Sequence, residues 1–389
     1  MKKYKTKKIL TIFISLALVL LLSASVFAED LPNINTFNHI YKNYDEAKKV
    51  SLNDQNVSFD EIEDLIHLNN ATVKSNWNSF ENRKSNNDIV GDYLDAADSL
   101  EELASSATSD VQMAMYQAQA EAMRMNADNN VDDSNTNFLN YLIVEKNLVL
   151  STKTLYIDYL KSLFDVINAE EDVEEAKRKL ETAINNENLG NGTRLETLTA
   201  RKAESDAEAS LMTANSNKRT YLRNLLINIG FDVNKDYNIN ELPNINVNIA
   251  NTIDINSDYQ KALENNHQFE TFKRRLQNAS TDEYKNQYKI QIDSAPSYIR
   301  SDLEKKYADI QDAYSSYVNM QISLELYQDE HDKASKEYTT GNISKKQYLT
   351  TVTNLNKGKN EVKKAMYDIM KAYEIYVSSV NGLASASAG

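Results

Sequence analysis

The chain has 389 residues, 41% of them hydrophobic, and carries a formal charge of −14. That length suffices for a core or for one very elongated domain, the composition is too polar for several membrane helices, and the charge disfavours affinity for nucleic acid or anionic lipid. With no cysteine there is neither a disulfide nor a lipidated anchor, and 8 glycines with 3 prolines are too few for a turn-rich all-β chain.

The amino end departs from this polarity. Lys2, Lys3, Lys5, Lys7 and Lys8 precede an apolar stretch from Ile9 to Leu22, and Val26 and Ala28 are small residues at the −3 and −1 places of a cleavage site. Residues 1–28 therefore read as a secretory signal peptide. The mature chain would begin at Glu29, and losing those five lysines takes the charge from −14 to −19. The apolar stretch is shorter than the ~20 residues that span a bilayer, and no later run approaches that length. No membrane span is expected after processing.

LPNIN occurs at Leu31–Asn35 and again at Leu242–Asn246, and each copy opens one half of the chain. The expected organisation is a first repeat over 29–240, a second over 241–382 and a disordered tail over 383–389. The first half has the longer approach, with VSFDEIEDL at 57–65 and the acidic DYLDAADSLEEL at 92–103, whereas the second has SDYQKALENNHQFE at 257–270.

Next, Tyr156, Tyr159, Leu163, Val166, Ala169, Val173, Ala176, Leu180 and Ala183 step by three and four, and the same steps recur from Tyr307 to Ala334. Such steps keep one helix face buried, and a run this long without Gly or Pro points to a coiled-coil-like seam. Each run leads to a glycine, Gly190 and Gly341, at the offset that relates the two halves (341 − 190 = 151). Glycine admits the left-handed conformation that ends a helix, and Thr193 or Ser344 is placed to cap the next one. Return helices follow, with Leu211, Ala214, Tyr221, Leu225 and Ile229 repeated as Val362, Ala365, Ala372, Tyr376 and Val380. The fold class expected is all-α: two tandem repeats of long antiparallel helical hairpins, with little or no β-structure.

Two halves of this kind, each with a phrase such as VSFDEIEDLIHLNNATV or SDYQKALENNHQFE, a long helix, a Gly tip and a return helix ending near Gly230 or Gly382, resemble the TolC-like outer membrane efflux protein family. Tyr338-Thr-Thr-Gly341 followed by Gln347-Tyr348-Leu349, and Gly190 followed by Glu196 to Ala200, are similar to the family's tip motif. The resemblance implies a homotrimer in which each protomer gives two hairpins to a twelve-helix tube, with strands that complete an outer-membrane barrel. It implies tips that dock on an adaptor and an ABC or RND-type pump, and a gate in which an acid, here Glu196, meets a tyrosine, here Tyr338. Ile343 stands at the gate's basic position, and Gln347 and Thr350 replace its acids, although Lys345 and Lys346 are adjacent. The strands depart further. MNADNNVDDSNTNF (125–138) is too short and polar for a pair, and YKIQIDSAPSYI (288–299) alternates only briefly before Pro296. What the resemblance leaves is the helical module without its membrane barrel.

The tip and docking residues expected are Gly190, Thr193, Glu196, Tyr338, Gly341, Ser344 and Gln347. The run from Glu170 to Glu175, followed by Lys177, Arg178 and Lys179, fits a solvated face with i, i+4 pairs better than a duct lining or docking patch. Asp92, Asp95, Asp98, Glu101 and Glu102 lack the glycine turn of an oxygen cage and read as surface helix. His39, His67, His267 and His331 are scattered, His331 falling on the inner seam as a packed residue. Neither HExxH, a phosphate loop nor GxSxG is present, so no catalytic, cofactor or metal site is expected. Two functions remain: a trimeric duct serving efflux or protein export in the cell envelope, and an exported surface scaffold built from the same hairpins.

Overall fold

The computed structural model describes residues 44–84, 89–243 and 245–388. The signal peptide, the start at Glu29, His39 and the first LPNIN copy lie outside the described residues, as does Asn244 of the second copy.

The first half runs α1 (Glu46–Leu52), β1 (Asn56–Val57), α2 (Ile62–Asn69), α3 (Ala71–Lys84), α4 (Ile89–Ser105), α5 (Asp110–Asn129), α6 (Ser134–Asn188) and α7 (Arg194–Asn228). The second runs β2 (Asn238–Ile239), α8 (Ile255–Asn265), α9 (His267–Asn278), α10 (Asp282–Thr339) and α11 (Lys345–Ser378). The 55 residues of α6 and 58 of α10 make rods of roughly 80–90 Å at ~1.5 Å per residue. α7 folds back along α6 and α11 along α10, so the chain is all-α and built on two long antiparallel hairpins. The three-and-four stepping is what buries their shared faces: Tyr156, Val166, Ala169, Val173 and Ala176 are buried on α6, and Ile310, Tyr317 and Ala334 on α10. Among the described residues the strands are limited to β1 and β2, two residues each, paired in parallel with Asn56 opposite Asn238. The Tyr156 hydroxyl sits 3.0 Å from the Val57 carbonyl and 2.6 Å from that of Asn240, anchoring this small ladder to α6.

Away from the tips each half gathers a core. Phe59, Ile62, Leu65, Tyr156 and Leu225 belong to the first, and Phe269, Phe272, Ile299, Leu303 and Tyr376 to the second. Both use one device to join short helices to the hairpin. Asn70 caps α3, accepting from Thr72 and Val73 N–H, and donates Nδ2 to the Asn228 carbonyl at the end of α7 (2.8 Å). Asn266 caps α9 by accepting from Phe269 N–H, and donates to the Ala384 carbonyl beyond α11 (2.7 Å). Beside each lies a glycine with positive φ, Gly230 and Gly382. The pairs Asn69-Asn70 and Asn265-Asn266 therefore clasp the return helices.

One sequence expectation is corrected, and the two stretches where strands were not expected prove mostly helical. Residues 383–388 are not a disordered tail: Ala384 and Ala386 are buried, and Ala386 N–H donates to Gln268 Oε1, because the small side chains let the backbone lie against α9. The brief alternation at Lys289–Ile292 lies inside α10, which continues through Pro296, so the helical seam overrides the local period of two. The stretch 125–138 is helical at both ends. α5 fills it to Asn129, and a four-residue turn leads into α6. Between α3 and α6 the first half thus carries an antiparallel helix pair, α4 and α5, which has no counterpart between α9 and α10. Asp128 at its base accepts from the Ser280 and Thr281 N–H groups (2.6 and 3.0 Å), and Arg275 pairs with Asp132. These bonds fix the pair to the end of α9 and to the turn that leads into α10.

Candidate functional site: hairpin tips and helix seams

The two tips are the same structure built twice. Gly190 (φ +74°) and Gly341 (φ +75°) hold the left-handed position, while Asn191 N–H donates to the Asn186 carbonyl and Asn342 N–H to that of Glu337, each at 2.8 Å. These are the bonds that close a helix through a glycine. The next helix is opened by a reciprocal cap. Glu196 N–H donates to Thr193 Oγ1 (3.2 Å) and Thr193 N–H to Glu196 Oε2 (2.7 Å); Gln347 and Ser344 repeat the pattern at 3.3 and 2.9 Å.

The structure thus brings Gly190, Thr193 and Glu196 together on one tip and Gly341, Ser344 and Gln347 on the other. Tyr338 stacks on Tyr348 at 5.0 Å within the second tip, and among the described residues no hydrogen bond or ion pair joins it to Glu196. His331 packs beside Tyr348 at the end of the seam. Leu189 and Leu195, each 73% exposed, flank the first tip and were not singled out in the sequence. Their position on either side of a glycine cap was the available signal.

A second feature escaped the sequence reading altogether. α6 and α11 run side by side, and beside the packing of Phe164 on Tyr367 their contact carries a row of charged pairs that the seams within each hairpin lack. Lys153 meets Glu374, Asp158 meets Lys371, Lys161 meets Asp368, Asp165 meets Lys364, and Asp172 meets Lys357. Asn168 lies between, bonded to Glu361 at 3.0 Å. From Asp158 to Asp172 these positions step by three and four, as do their partners, so the seam is a heptad of charges. Burial pulls the Lys364 ammonium down, yet the Asp165 and Glu361 carboxylates outweigh it and hold the group above its ordinary value. The acidic run on α6 is correspondingly divided. Glu174 and Glu175 pair locally with Lys177 and Lys179, whereas Glu171 and Asp172 turn to Asn356 and Lys357 of α11. On α4, Asp98 and Glu101 likewise bind Arg124 of α5 rather than standing alone.

These seams order the four long helices as α7, α6, α11, α10. Apart from the part of α10 covered by α8, α9 and the turn at 249–252, the sheet of helices has two open edges among the described residues, α7 and α10. It is an open sheet rather than a closed bundle.

No protein-family model matches the sequence, and no curated protein matches it significantly. Solved structures do match. The Campylobacter jejuni CmeC outer membrane channel aligns over 85% of this chain and 87% of its own, at 14% identity and TM-score 0.50. The outer-membrane channel OprN aligns over 83% and 90%, at 9% identity and TM-score 0.54. CusC, described for its transmembrane channel formation, aligns over 83% and 92%, at 8% identity and TM-score 0.53. Identities this low establish the fold, which is TolC-like.

Proposed function

We propose that the protein is a non-catalytic export component of the cell envelope, three copies of which close a helical duct whose tips dock on an adaptor and through it on a pump. The observation that carries this reading is the pair of free edges: a four-helix sheet with long apolar seams inside and open sides at α7 and α10 is completed by further copies under cyclic symmetry. The similar solved structures are outer membrane channels, which supports the same reading. The glycine tips, the first with its exposed Leu189 and Leu195 and the second with its half-exposed Tyr338, are the docking ends. Processing at Ala28 would export the chain, and attachment to the envelope would run through the partner. Among the described residues no helix is long and apolar enough to cross a membrane.

The test is to delete the gene in its host and follow retention of exported solutes, with sedimentation of the purified mature protein alongside. A trimer whose loss raises retention, and whose Leu189→Asp, Leu195→Asp form assembles without restoring export, is the expected result. A trimer without any export defect would leave the scaffold reading in its place.

A further inference from the structure

We infer that the free edge of α7 in one copy packs against the free edge of α10 in the next in a fixed register, with Met212 seated at Ile322 and Leu326 and with Arg223 beside Asp312. This rests on the ring proposed above and specifies the surface that closes it.

The edge faces are themselves patterned. On the side of α7 turned away from α6, Leu195, Leu198, Met212, Arg219, Arg223 and Ile227 all fall on one three-and-four stepped stripe, and all are exposed. On the side of α10 turned away from α11, Asp309, Asp312, Ile322, Leu326 and Glu330 do the same. A helix that needed only its hairpin partner would carry polar residues there. Instead Met212 is 72% exposed, Ile322 60% and Leu326 56%.

Relative height is fixed by bonds across the sheet. Asn228 bonded to Thr152 and Thr197 to Ala183 set α7 against α6; Asp165 with Lys364 sets α6 against α11; Lys306 with Ser379 sets α11 against α10. Followed across, Met212 is level with Asn168, then Glu361, then Leu324, which lies between Ile322 and Leu326. Arg223 comes level with Ala313, next to Asp312. Leu198 comes level with Tyr338. A rotation about an axis along the helices carries these heights to the neighbouring copy unchanged, so apolar residues meet apolar ones and the cation meets the carboxylate.

Charge supports the same pairing along the half of the edge that lies away from the tips. From Ala209 to its end at Asn228, α7 carries Lys218, Arg219 and Arg223 and no carboxylate. Level with that stretch, from Ala308 to Tyr327, α10 carries Asp309, Asp312 and Glu325 and neither Lys nor Arg. Among the described residues Lys218, Arg219, Arg223, Asp309 and Asp312 form no ion pair. Over that stretch the two edges repel their own kind and attract each other, which favours head-to-tail closure of α7 on α10 over an edge meeting its own copy.

The absence of cysteine makes the test direct. Met212→Cys, Leu326→Cys protein treated with a short bifunctional maleimide should give covalent dimers and trimers, because α6 and α11 separate the two sites within one chain. Met212→Cys, Lys305→Cys protein, whose second site lies roughly 30 Å away along α10, should not. Arg223→Asp should weaken assembly on the order of tenfold, and adding Asp312→Arg should recover most of it. A stable trimer in which neither the linkage nor the charge recovery is seen would overturn the register while leaving the ring standing. A monomer at tens of micromolar would overturn both.

Discussion

Lys371 Nζ lies 2.8 Å from each carboxylate oxygen of Asp158, a two-point contact between the return helix of the second hairpin and the first helix of the first. It is one rung of the heptad of charges that joins α6 to α11, and both partners are largely shielded from solvent. The seams within each hairpin are apolar, whereas this one adds a row of ion pairs to the packing of Phe164 on Tyr367, so the charges help to set how the hairpins lie together. Lys371→Glu should lower stability to urea by about 1 kcal/mol through like charges in the seam, and adding Asp158→Lys should restore most of it. Equal losses in the single and double variants would show that packing alone holds the seam.

The four glycines with positive φ should separate into two classes. A Cβ on Gly190 or Gly341 would meet nothing within 4 Å, so alanine there costs only the left-handed backbone, about 1 kcal/mol. A Cβ on Gly230 would lie 2.5 Å from the Asn69 carbonyl oxygen, and one on Gly382 would lie 2.7 Å from that of Asn265. Alanine at Gly230 or Gly382 should therefore cost about 3 kcal/mol, since backbone must move as well. Thermal unfolding of the four variants checks the order.

The hairpins were legible because glycine caps and long apolar stepping are local properties of a sequence. Gly190 with Thr193 and Gly341 with Ser344 announce their turns within a few residues. The heptad of charges was not legible. Asp158, Lys161 and Asp165 look like any solvated face until Lys371, Asp368 and Lys364 are known to run beside them, more than 190 residues away. The packed end of the chain was hidden for the same reason. Ala384 and Ala386 are too small to signal burial, and what buries them is the clasp of Asn266 and Gln268. The expected meeting of Glu196 with Tyr338 came from resemblance, and each residue is engaged within its own tip. The stripe on α7 could have been read, since Leu198, Met212 and Ile227 keep a second period beside the first.

Glu145 is buried on α6 and accepts from Trp77 Nε1 at 2.7 Å, while its other oxygen lies 2.7 Å from His67 Nδ1. One carboxylate thus holds α2 and α3 to the long hairpin. Glu145→Ala should destabilise the protein by about 3 kcal/mol, because the Trp77 N–H loses that acceptor inside the core and His67 loses its counterpart. Trp77 is the sole tryptophan, so its emission reports the site directly. A red shift in the native state that precedes global unfolding in urea is expected. Unchanged emission with unchanged stability would remove Glu145 as the anchor.

His267 supplies a pH dependence of known sign. Among the described residues its Nε2 is buried without a hydrogen-bond partner, and burial first, then the Lys146 ammonium, push its pKa down to about 4 from the ordinary 6.5. The unfolded chain therefore binds this proton more tightly than the folded one. Stability owed to the neutral ring is fully present above about 6.5, falls as the pH drops from there to about 4, and changes no further below that. The loss across the window is on the order of 3 kcal/mol. Other carboxylates titrate in the same range, so the measurement is a difference: urea unfolding of the native chain and of His267→Gln between pH 7 and pH 4. The variant should lose markedly less stability over that interval. Parallel curves would mean that the imidazole is charged or solvated in the folded protein, and that the clasp around Gly382 is open to water.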